Sequence, residues 1–228
     1  YDGQELKSLE GHRNRVRGVS FSPDSQMIAS TSHDRTIKLW NHKGTLIKTL
    51  EGHNEGVIGV SFSHDGQMLA STSYDRTVKL WNRNGTLIKT LEGHSDAVIG
   101  VSFSPNGQLI ASASDDQTIK LWNCEGTLHT TLQGHDGWVM GVTFSSDGQL
   151  IASASADHTI KIWSCDGTLL TTLEGHDDWV FGVSFSFDGQ MLASASADRT
   201  IKLWNLNSIE RNVTLNALVM RGCDWLHD

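Results

Sequence analysis

A unit of 41 residues is repeated five times along this chain of 228 residues. Each unit begins with a Gly-His pair and finishes near a tryptophan. A unit of this length cannot bury its apolar residues alone, so repetition at a constant step implies that neighbouring units stack on one another. The pairs are Gly11-His12, Gly52-His53, Gly93-His94, Gly134-His135 and Gly175-His176, and the tryptophans are Trp40, Trp81, Trp122, Trp163 and Trp204.

Four short strands, which we call a to d, can be placed within each unit. In the second unit strand a covers residues 56–62, which are rich in β-branched and aromatic side chains. The Asp65-Gly66 pair then marks a tight turn. Strands b, c and d follow at residues 68–73, 77–82 and 86–91. Because every connection is short, the four strands are predicted to form an antiparallel meander.

The step, the Gly-His start and the tryptophan finish resemble the WD40 β-propeller family over residues 3–205. The residue after each tryptophan is asparagine or serine where that family usually has aspartate, at a position that ends a strand. In a propeller strand a is innermost, and a central glycine such as Gly59 fits the close approach of blades there. The resemblance implies an all-β fold with four-stranded blades at residues 10–50, 51–91, 92–132, 133–173 and 174–205.

The start of the chain resembles a lone strand d, because residues 3–9 match residues 44–50 at the 41-residue step. The fifth unit ends after strand c, at Asn205. WD40 rings commonly close when a starting strand d completes the last blade, so we expect residues 3–9 beside residues 200–205. The family usually closes with seven blades, which leaves three alternatives open: a five-bladed ring, part of a longer array, and a homo-oligomer whose copies share one ring.

The tail at residues 206–228 departs from the repeat. Its apolar residues fall at helical spacing, which predicts a short amphipathic helix capped by Asn212 or Thr214. The ending resembles that of large repetitive bacterial WD40 proteins, whose propeller often follows a signalling ATPase or kinase domain. We therefore expect this chain to be the C-terminal module of a larger bacterial signalling protein. Alternatively, the tail simply covers an exposed blade edge. The helix residues are Leu215, Leu218, Val219, Gly222, Cys223 and Leu226.

Charge and composition argue against two classes of partner. The formal net charge of −8 and the scattered Lys and Arg residues disfavour nucleic acid. No apolar run approaches the roughly 18 residues needed to cross a membrane, and no leader opens the sequence. The odd cysteine count, with Cys124, Cys165 and Cys223, favours free thiols in a reducing compartment, so we expect a cytoplasmic protein.

Every unit repeats a His, a Ser, an Asp and a Trp at fixed spacing. Ser, His and Asp could suggest an acyl-transfer triad, but five identical copies favour a structural hydrogen-bond network, as the resemblance also implies. One His per blade cannot converge on a metal ion. We therefore expect no enzyme activity, no catalytic or metal residue and no cofactor. The tetrads are His12, Ser30, Asp34 and Trp40; His53, Ser71, Asp75 and Trp81; His94, Ser112, Asp116 and Trp122; His135, Ser153, Asp157 and Trp163; and His176, Ser194, Asp198 and Trp204.

Four positions per unit differ sharply in chemistry among the copies, and all lie in or beside the d–a loop and the b–c turn. These connections share one end of the blades, which in the WD40 family is the usual partner-binding face. The first copies are basic there and the last are aromatic, so we expect a protein or peptide partner with an acidic segment beside an apolar anchor. The candidate binding residues are Arg15, Arg17, His33, Arg35, Tyr74, Trp138, Met140, Trp179 and Phe181.

Two other interpretations of these positions stay open. Trp138 and Trp179 could simply pack between blades of recently duplicated copies. They could also serve as stacking platforms for a small molecule or a glycan near the mouth of the channel. The first interpretation predicts no ligand, whereas the second predicts a ligand that depends on the tryptophans alone.

Overall fold

The computed structural model describes residues 5–207 and 209. These residues form short strands separated by turns, in the order that the sequence predicts. The strands are β1 (Val16–Phe21), β2 (Met27–Ser32), β3 (Ile37–Asn41), β4 (Leu46–Leu50), β5 (Val57–Phe62), β6 (Met68–Ser73), β7 (Val78–Asn82), β8 (Leu87–Leu91), β9 (Val98–Phe103), β10 (Leu109–Ser114), β11 (Ile119–Asn123), β12 (Leu128–Leu132), β13 (Val139–Phe144), β14 (Leu150–Ser155), β15 (Ile160–Ser164), β16 (Leu169–Leu173), β17 (Val180–Phe185), β18 (Met191–Ser196) and β19 (Ile201–Asn205).

The strands form five antiparallel sheets, which confirms the predicted meander. Blades 1 to 4 are the four-stranded sheets β1–β4, β5–β8, β9–β12 and β13–β16. Blade 5 is the three-stranded sheet β17–β19. In each blade strand a pairs with strand b, b with c, and, in blades 1 to 4, c with d.

Strand a is the innermost strand, because β1, β5, β9, β13 and β17 contact one another in sequence. In blades 1 and 2 the central glycine of this strand is required by that contact. A Cβ atom on Gly59 would lie 2.7 Å from the carbonyl oxygen of Ile99 in the next blade. A Cβ atom on Gly18 would meet the Ile58 carbonyl oxygen at the same distance. The predicted close approach of neighbouring blades is confirmed.

The apolar core lies between successive blades rather than inside any one of them. Strands b, c and d of one blade face strands a, b and c of the next. Since each sheet buries a face only against its neighbour, the blades depend on one another for stability. In the first interface blade 1 contributes Met27, Ala29, Ile37, Leu39 and Leu50, and blade 2 contributes Val57, Val60, Phe62, Leu69 and Trp81.

Among the described residues 5–9 no pairing with the last blade is formed, so the closing strand predicted at residues 3–9 stays a prediction. Residues 5–10 form no strand, and β19 has no partner on its outer side. The segment instead lies along blade 1, where Lys7 Nζ donates a 3.2 Å hydrogen bond to the Lys43 carbonyl oxygen. Four interfaces of similar construction set the angles between blades, and together they leave β19 apart from residues 5–9. Within residues 5–207 the blades therefore form an arc with two open ends.

The predicted helix at Leu215–Leu226 lies outside the described residues. Among residues 5–207 and 209, no helix is long and apolar enough to cross a membrane.

The a–b turn of blade 1 provides a test of backbone strain. Ser25 has a positive φ of 58°, whereas the equivalent turn positions in blades 2 and 3 are Gly66 and Gly107, with φ of 67° and 71°. Replacing Ser25 with Gly removes the clash of its Cβ with the backbone, so we expect Ser25→Gly to raise the free energy of unfolding by up to about 1 kcal/mol.

Urea denaturation measures this change, and Gly107→Ser is the converse control. A Cβ on Gly107 would meet no atom within 4 Å, so its substitution adds strain without a collision. Equal stability of Ser25→Gly and the unchanged chain would contradict the prediction.

Candidate functional site

The repeated tetrad forms a continuous chain of hydrogen bonds, as blade 2 illustrates. His53 Nδ1 lies 2.8 Å from Asp75 Oδ2, and His53 Nε2 lies 2.8 Å from Ser71 Oγ. Trp81 Nε1 donates to Ser71 Oγ at 2.9 Å. An indole N–H can only donate and a carboxylate can only accept, so the serine hydroxyl donates to Nε2 and Nδ1–H donates to the aspartate. This chain joins the d–a loop to the b–c turn, strand b and strand c.

The aspartate of the tetrad is held in its ionised form. Burial alone would raise the pKa of Asp75, but the hydrogen bonds from His53 and Thr77 outweigh burial. The backbone N–H of Asn54 also donates to the carboxylate, at 2.9 Å. Together they hold the pKa of Asp75 well below its usual value.

All five blades repeat this geometry. The distance from His Nδ1 to Asp Oδ2 is 2.9 Å in blade 1 and 2.6 Å in blade 5. Each tetrad serine is buried and accepts the hydrogen bond of a tryptophan. The Trp-to-Ser bonds join Trp40 to Ser30, Trp81 to Ser71, Trp122 to Ser112, Trp163 to Ser153 and Trp204 to Ser194.

The variable positions lie on one end of the arc, which we call the loop face and define as the d–a loops with the b–c turns. Strand alternation places these two connections at the same end of every blade. Backbone hydrogen bonds tie them together: Tyr74 N–H donates to the Gly56 carbonyl at 3.1 Å, and Ala156 N–H donates to the Trp138 carbonyl at 2.8 Å. Substitutions at these positions therefore change one shared surface.

Two of the candidate binding residues form an exposed aromatic pair across the boundary between blades 4 and 5. The ring centroids of Trp138 and Trp179 lie 5.7 Å apart, with 59° between the ring planes. The two side chains contact each other yet stay 45% and 40% exposed. On the adjoining strands Met140 is half-buried and Phe181 is exposed. Packing between blades thus accounts for only part of each indole surface.

The opposite part of the loop face is basic. Arg15, Arg17 and Arg35 are exposed in blade 1. A polar cleft of 460 Å³ lies between the d–a loops of blades 1 and 2, and its lining includes Arg13, Arg35 and Lys38 together with the carboxylates of Asp34 and Glu51. The exposed guanidinium groups of Arg13 and Arg35 provide donors for a carboxylate or phosphate group, whereas the buried Lys38 Nζ already donates to Thr49 Oγ1 at 2.8 Å.

His33 and Tyr74 lie between the basic and aromatic parts of the loop face. Their rings meet edge to face, with centroids 5.5 Å apart. His33 is half-buried, and its Nε2 atom is buried without a hydrogen-bond partner among the described residues. The structure thus brings the nine candidate residues to one end of the arc but divides them into two groups.

One feature of the loop face is invisible in the sequence pattern. The residue after each tetrad aspartate has a positive φ of 68–70°, although none of the five is glycine. A residue with a side chain costs about 1 kcal/mol or more of stability in this conformation relative to glycine. All five copies nevertheless keep a long polar side chain at this position. These residues are Arg35, Arg76, Gln117, His158 and Arg199.

The pKa of Asp115 is a second property of the loop face that the sequence does not reveal. It occupies the variable position before the tetrad aspartate of blade 3. Burial, with the negative charges of Asp96 and Asp116, raises the pKa of Asp115 to about 6. The middle of the loop face therefore carries a carboxyl group that gains a proton in mildly acidic solution.

Metal and thiol chemistry find little support among residues 5–207 and 209. No group of three or more His, Cys, Asp and Glu side chains in this part of the chain is arranged to hold a metal ion. Cys124 and Cys165 are free thiols, and burial raises the pKa of both, which lowers their nucleophilicity near neutral pH.

The repeat region matches a known protein family along its whole length. The profile of the WD40 family (WD domain, G-beta repeat) matches residues 3–41, 44–82, 85–123, 126–164 and 167–205.

Individual relatives share single stretches of this region. A U4/U6 small nuclear ribonucleoprotein PRP4-like protein of Arabidopsis thaliana is 51% identical over 39 residues, or 17% of this chain and 7% of the relative. A WD repeat-containing protein of Synechocystis is 48% identical over 48 residues, or 20% and 14%. Lissencephaly-1 homolog 1 of Paramecium tetraurelia is 51% identical over 41 residues, or 18% and 10%. The matched stretches thus span a small part of each relative.

Removal of one tetrad hydroxyl should destabilise the fold without affecting the loop face directly. Ser112→Ala leaves the buried Trp122 N–H and His94 Nε2 without a partner, so we expect the free energy of unfolding to fall by about 1–3 kcal/mol. Urea denaturation followed by tryptophan fluorescence measures the loss. Ser102→Ala is the matched control, because its hydroxyl makes only a 3.5 Å contact with the Phe103 carbonyl. Equal stability of the two variants would contradict the structural role.

Neutralising Asp115 should stabilise the protein at pH 7. The unfolded chain releases the Asp115 proton near pH 3.8 and the folded chain near pH 6, so stability is lost as the pH rises through this window. We expect Asp115→Asn to raise the urea midpoint at pH 7 and to leave it unchanged at pH 3.5. Asp136→Asn, which removes an exposed carboxylate, is the control. A gain from Asp115→Asn that is the same at both pH values would contradict the prediction.

Proposed function

Since the chain belongs to the WD40 repeat family, we propose that it is a non-catalytic scaffold that binds a protein or peptide through its loop face. The observation that carries this proposal is the half-exposed pair of Trp138 and Trp179. Aromatic side chains with this exposure are enriched among the residues that dominate binding energy in protein interfaces. The backbone carbonyls of Trp138 and Trp179 each accept a 2.8 Å hydrogen bond from the b–c turn of the same blade, which limits the ordering needed when a partner binds.

The charge distribution supports a partner of mixed character. The basic group of Arg15, Arg17 and Arg35 stands out in a chain whose formal net charge is −8. An acidic segment would be drawn to these arginines, while an apolar anchor packs on Trp138 and Trp179. The strained side chains after the tetrad aspartates also point to selection for contact rather than for stability.

The non-catalytic part of the proposal rests on the state of the tetrad serine. In each blade its hydroxyl is buried and engaged by both an indole N–H and an imidazole nitrogen. A nucleophile must meet the substrate, and these oxygens are enclosed by the fold. We further propose that the chain serves as the C-terminal module of a larger cytoplasmic signalling protein of bacterial type, which the free thiols and the match to a Synechocystis protein support.

A glycan or small-molecule site is the second candidate, because the same indole pair could stack against a sugar ring. The two functions differ in their dependence on charge. A protein or peptide partner that spans the loop face uses both groups of residues, whereas a stacked glycan uses the tryptophans alone.

Binding measurements on a peptide library and a glycan array separate these functions. We expect a peptide with an acidic segment and an aromatic or aliphatic anchor to bind, and both Trp179→Ala and Arg17→Ala to weaken it at least tenfold. Phe187→Ala and Lys43→Ala are matched controls, since Phe187 and Lys43 are exposed in turns at the opposite end of the blades. Glycan binding that is lost only in the Trp138 and Trp179 variants would overturn the proposal in favour of the second candidate.

A further inference from the structure

The two open ends of the arc expose the same positions that the interior blades bury. On the outer face of blade 5 Ile201 is 75% exposed, whereas the equivalent Ile37 in blade 1 is 1% exposed. Leu203 is likewise exposed where Leu39 is buried. These side chains stand where, in the other blades, the next blade packs.

Blade 1 shows the complementary surface at the other end. Phe21 is 63% exposed, while the equivalent Phe62, which packs on blade 1, is 8% exposed. Val16 and Val19 are exposed in the same way. They occupy the positions at which strand a of each later blade contacts the blade before it.

The two surfaces match in residue type as well as in position. In the first interface Met27, Ala29, Ile37 and Leu39 face Val57, Val60 and Phe62. An interface between the two ends would place the same types in the same order, with no new side-chain shape to accommodate. The matching residues are Met191, Ala193, Ile201 and Leu203 on blade 5, and Val16, Val19 and Phe21 on blade 1.

Residues 5–9 already occupy the place of a strand d that precedes blade 1. In blades 1 and 2, a lysine of strand d donates to a carbonyl in the c–d turn of the next blade, as Lys48 Nζ does to Asn84 at 3.0 Å. Lys7 makes the same contact with Lys43, at 3.2 Å. Leu9 stands where Leu50 stands in the repeat, against the c–d turn of the following blade. Among the described residues, no strand c pairs with this segment and no strand d pairs with β19.

We propose that blade 5 of one copy docks on blade 1 of a second copy. Residues 5–9 of the second copy then become the fourth strand of blade 5 in the first copy. The pairing of β3 with β4 gives the register: Ile37 lies opposite Leu50, and Leu39 lies opposite Lys48. By the 41-residue step Ile201 pairs with Leu9, and Leu203 pairs with Lys7. The contact joins different surfaces of the two copies, so it continues until a ring closes or a filament grows.

Polar residues at the rim fit this junction. In the first interface Arg83 Nη2 forms an ion pair with Asp24 Oδ2 at 2.5 Å. The corresponding residues at the junction are His42 of blade 1 and Asp188 of blade 5, a donor and an acceptor. On the loop face of the first interface, the small Gly56 of blade 2 lies against the large His33 of blade 1. At the junction the sizes are exchanged, because Arg15 of blade 1 lies against Ala197 of blade 5. The rim thus offers a hydrogen-bond donor opposite an acceptor, and complementary size.

Light scattering after size exclusion, on the full chain over a range of concentrations, tests the association. We expect a mass at least twice the 25.0 kDa of the chain, and a return to 25.0 kDa in Leu203→Asp. Ile88→Asp is the matched control, because Ile88 is an exposed isoleucine on the outer strand β8, away from both open ends. A mass of 25.0 kDa at every concentration would overturn the proposal.

Disulfide trapping tests the register. Two variants without the native cysteines, one carrying Leu9→Cys and one carrying Ile201→Cys, are mixed and oxidised. Directly opposed residues of paired strands have Cβ atoms about 4.5–5.5 Å apart, and a disulfide needs about 3.5–4.5 Å, so a small shift of the edge strand gives a covalent heterodimer. Ile88→Cys replaces Ile201→Cys in the control mixture.

Two results would overturn the proposed junction. Equal cross-linking in both mixtures would show that the contact is not specific. A chain carrying both Leu9→Cys and Ile201→Cys that forms only an internal disulfide would show that the arc closes on itself. Neither result bears on peptide binding at Trp138 and Trp179, so the two proposals can fail independently.

Discussion

Apolar packing between successive blades is the interaction on which the rest of this structure depends. Each core cluster draws its side chains mainly from two neighbouring sheets, as Leu80 of blade 2 and Val98 of blade 3 illustrate. A blade without a neighbour would expose one of its faces, so stability accumulates from one interface to the next. The central glycines of strand a belong to the same constraint, because only a residue without Cβ lets the inner strands approach closely. The end blades are therefore the least protected parts of the arc.

The buried tetrads explain why the loop face can vary without loss of the fold. They fix the d–a loop against the b–c turn through side chains whose identity is constant in all five blades. The neighbouring positions carry no part of this network, so Gly56 in blade 2 and Trp138 in blade 4 are both tolerated. The constant residues hold the scaffold, and the differences between copies are free to serve recognition.

Much of the fold could be predicted from the sequence, because the signals that specify the strands and turns are local and repeated. Turn residues, alternation and the glycine of strand a each act within one blade or on the next one. Closure is different: it depends on the angle between blades summed over four interfaces, and no single residue encodes that sum. The contact of Trp138 with Trp179 and the raised pKa of Asp115 were also beyond the sequence, since both arise from distances and burial that only the assembled blades create.

Repetition makes the ends of the arc compatible, but it also makes them unselective. The apolar residues of every interface are nearly the same, so they would accept any blade of this type and cannot by themselves choose the right neighbour. Selection must come from the rim positions that differ between copies, such as Arg83 with Asp24 at the first interface and His42 with Asp188 at the proposed junction. A small set of polar residues at the edge would then decide the order in which nearly identical blades meet, while the apolar interior supplies the affinity.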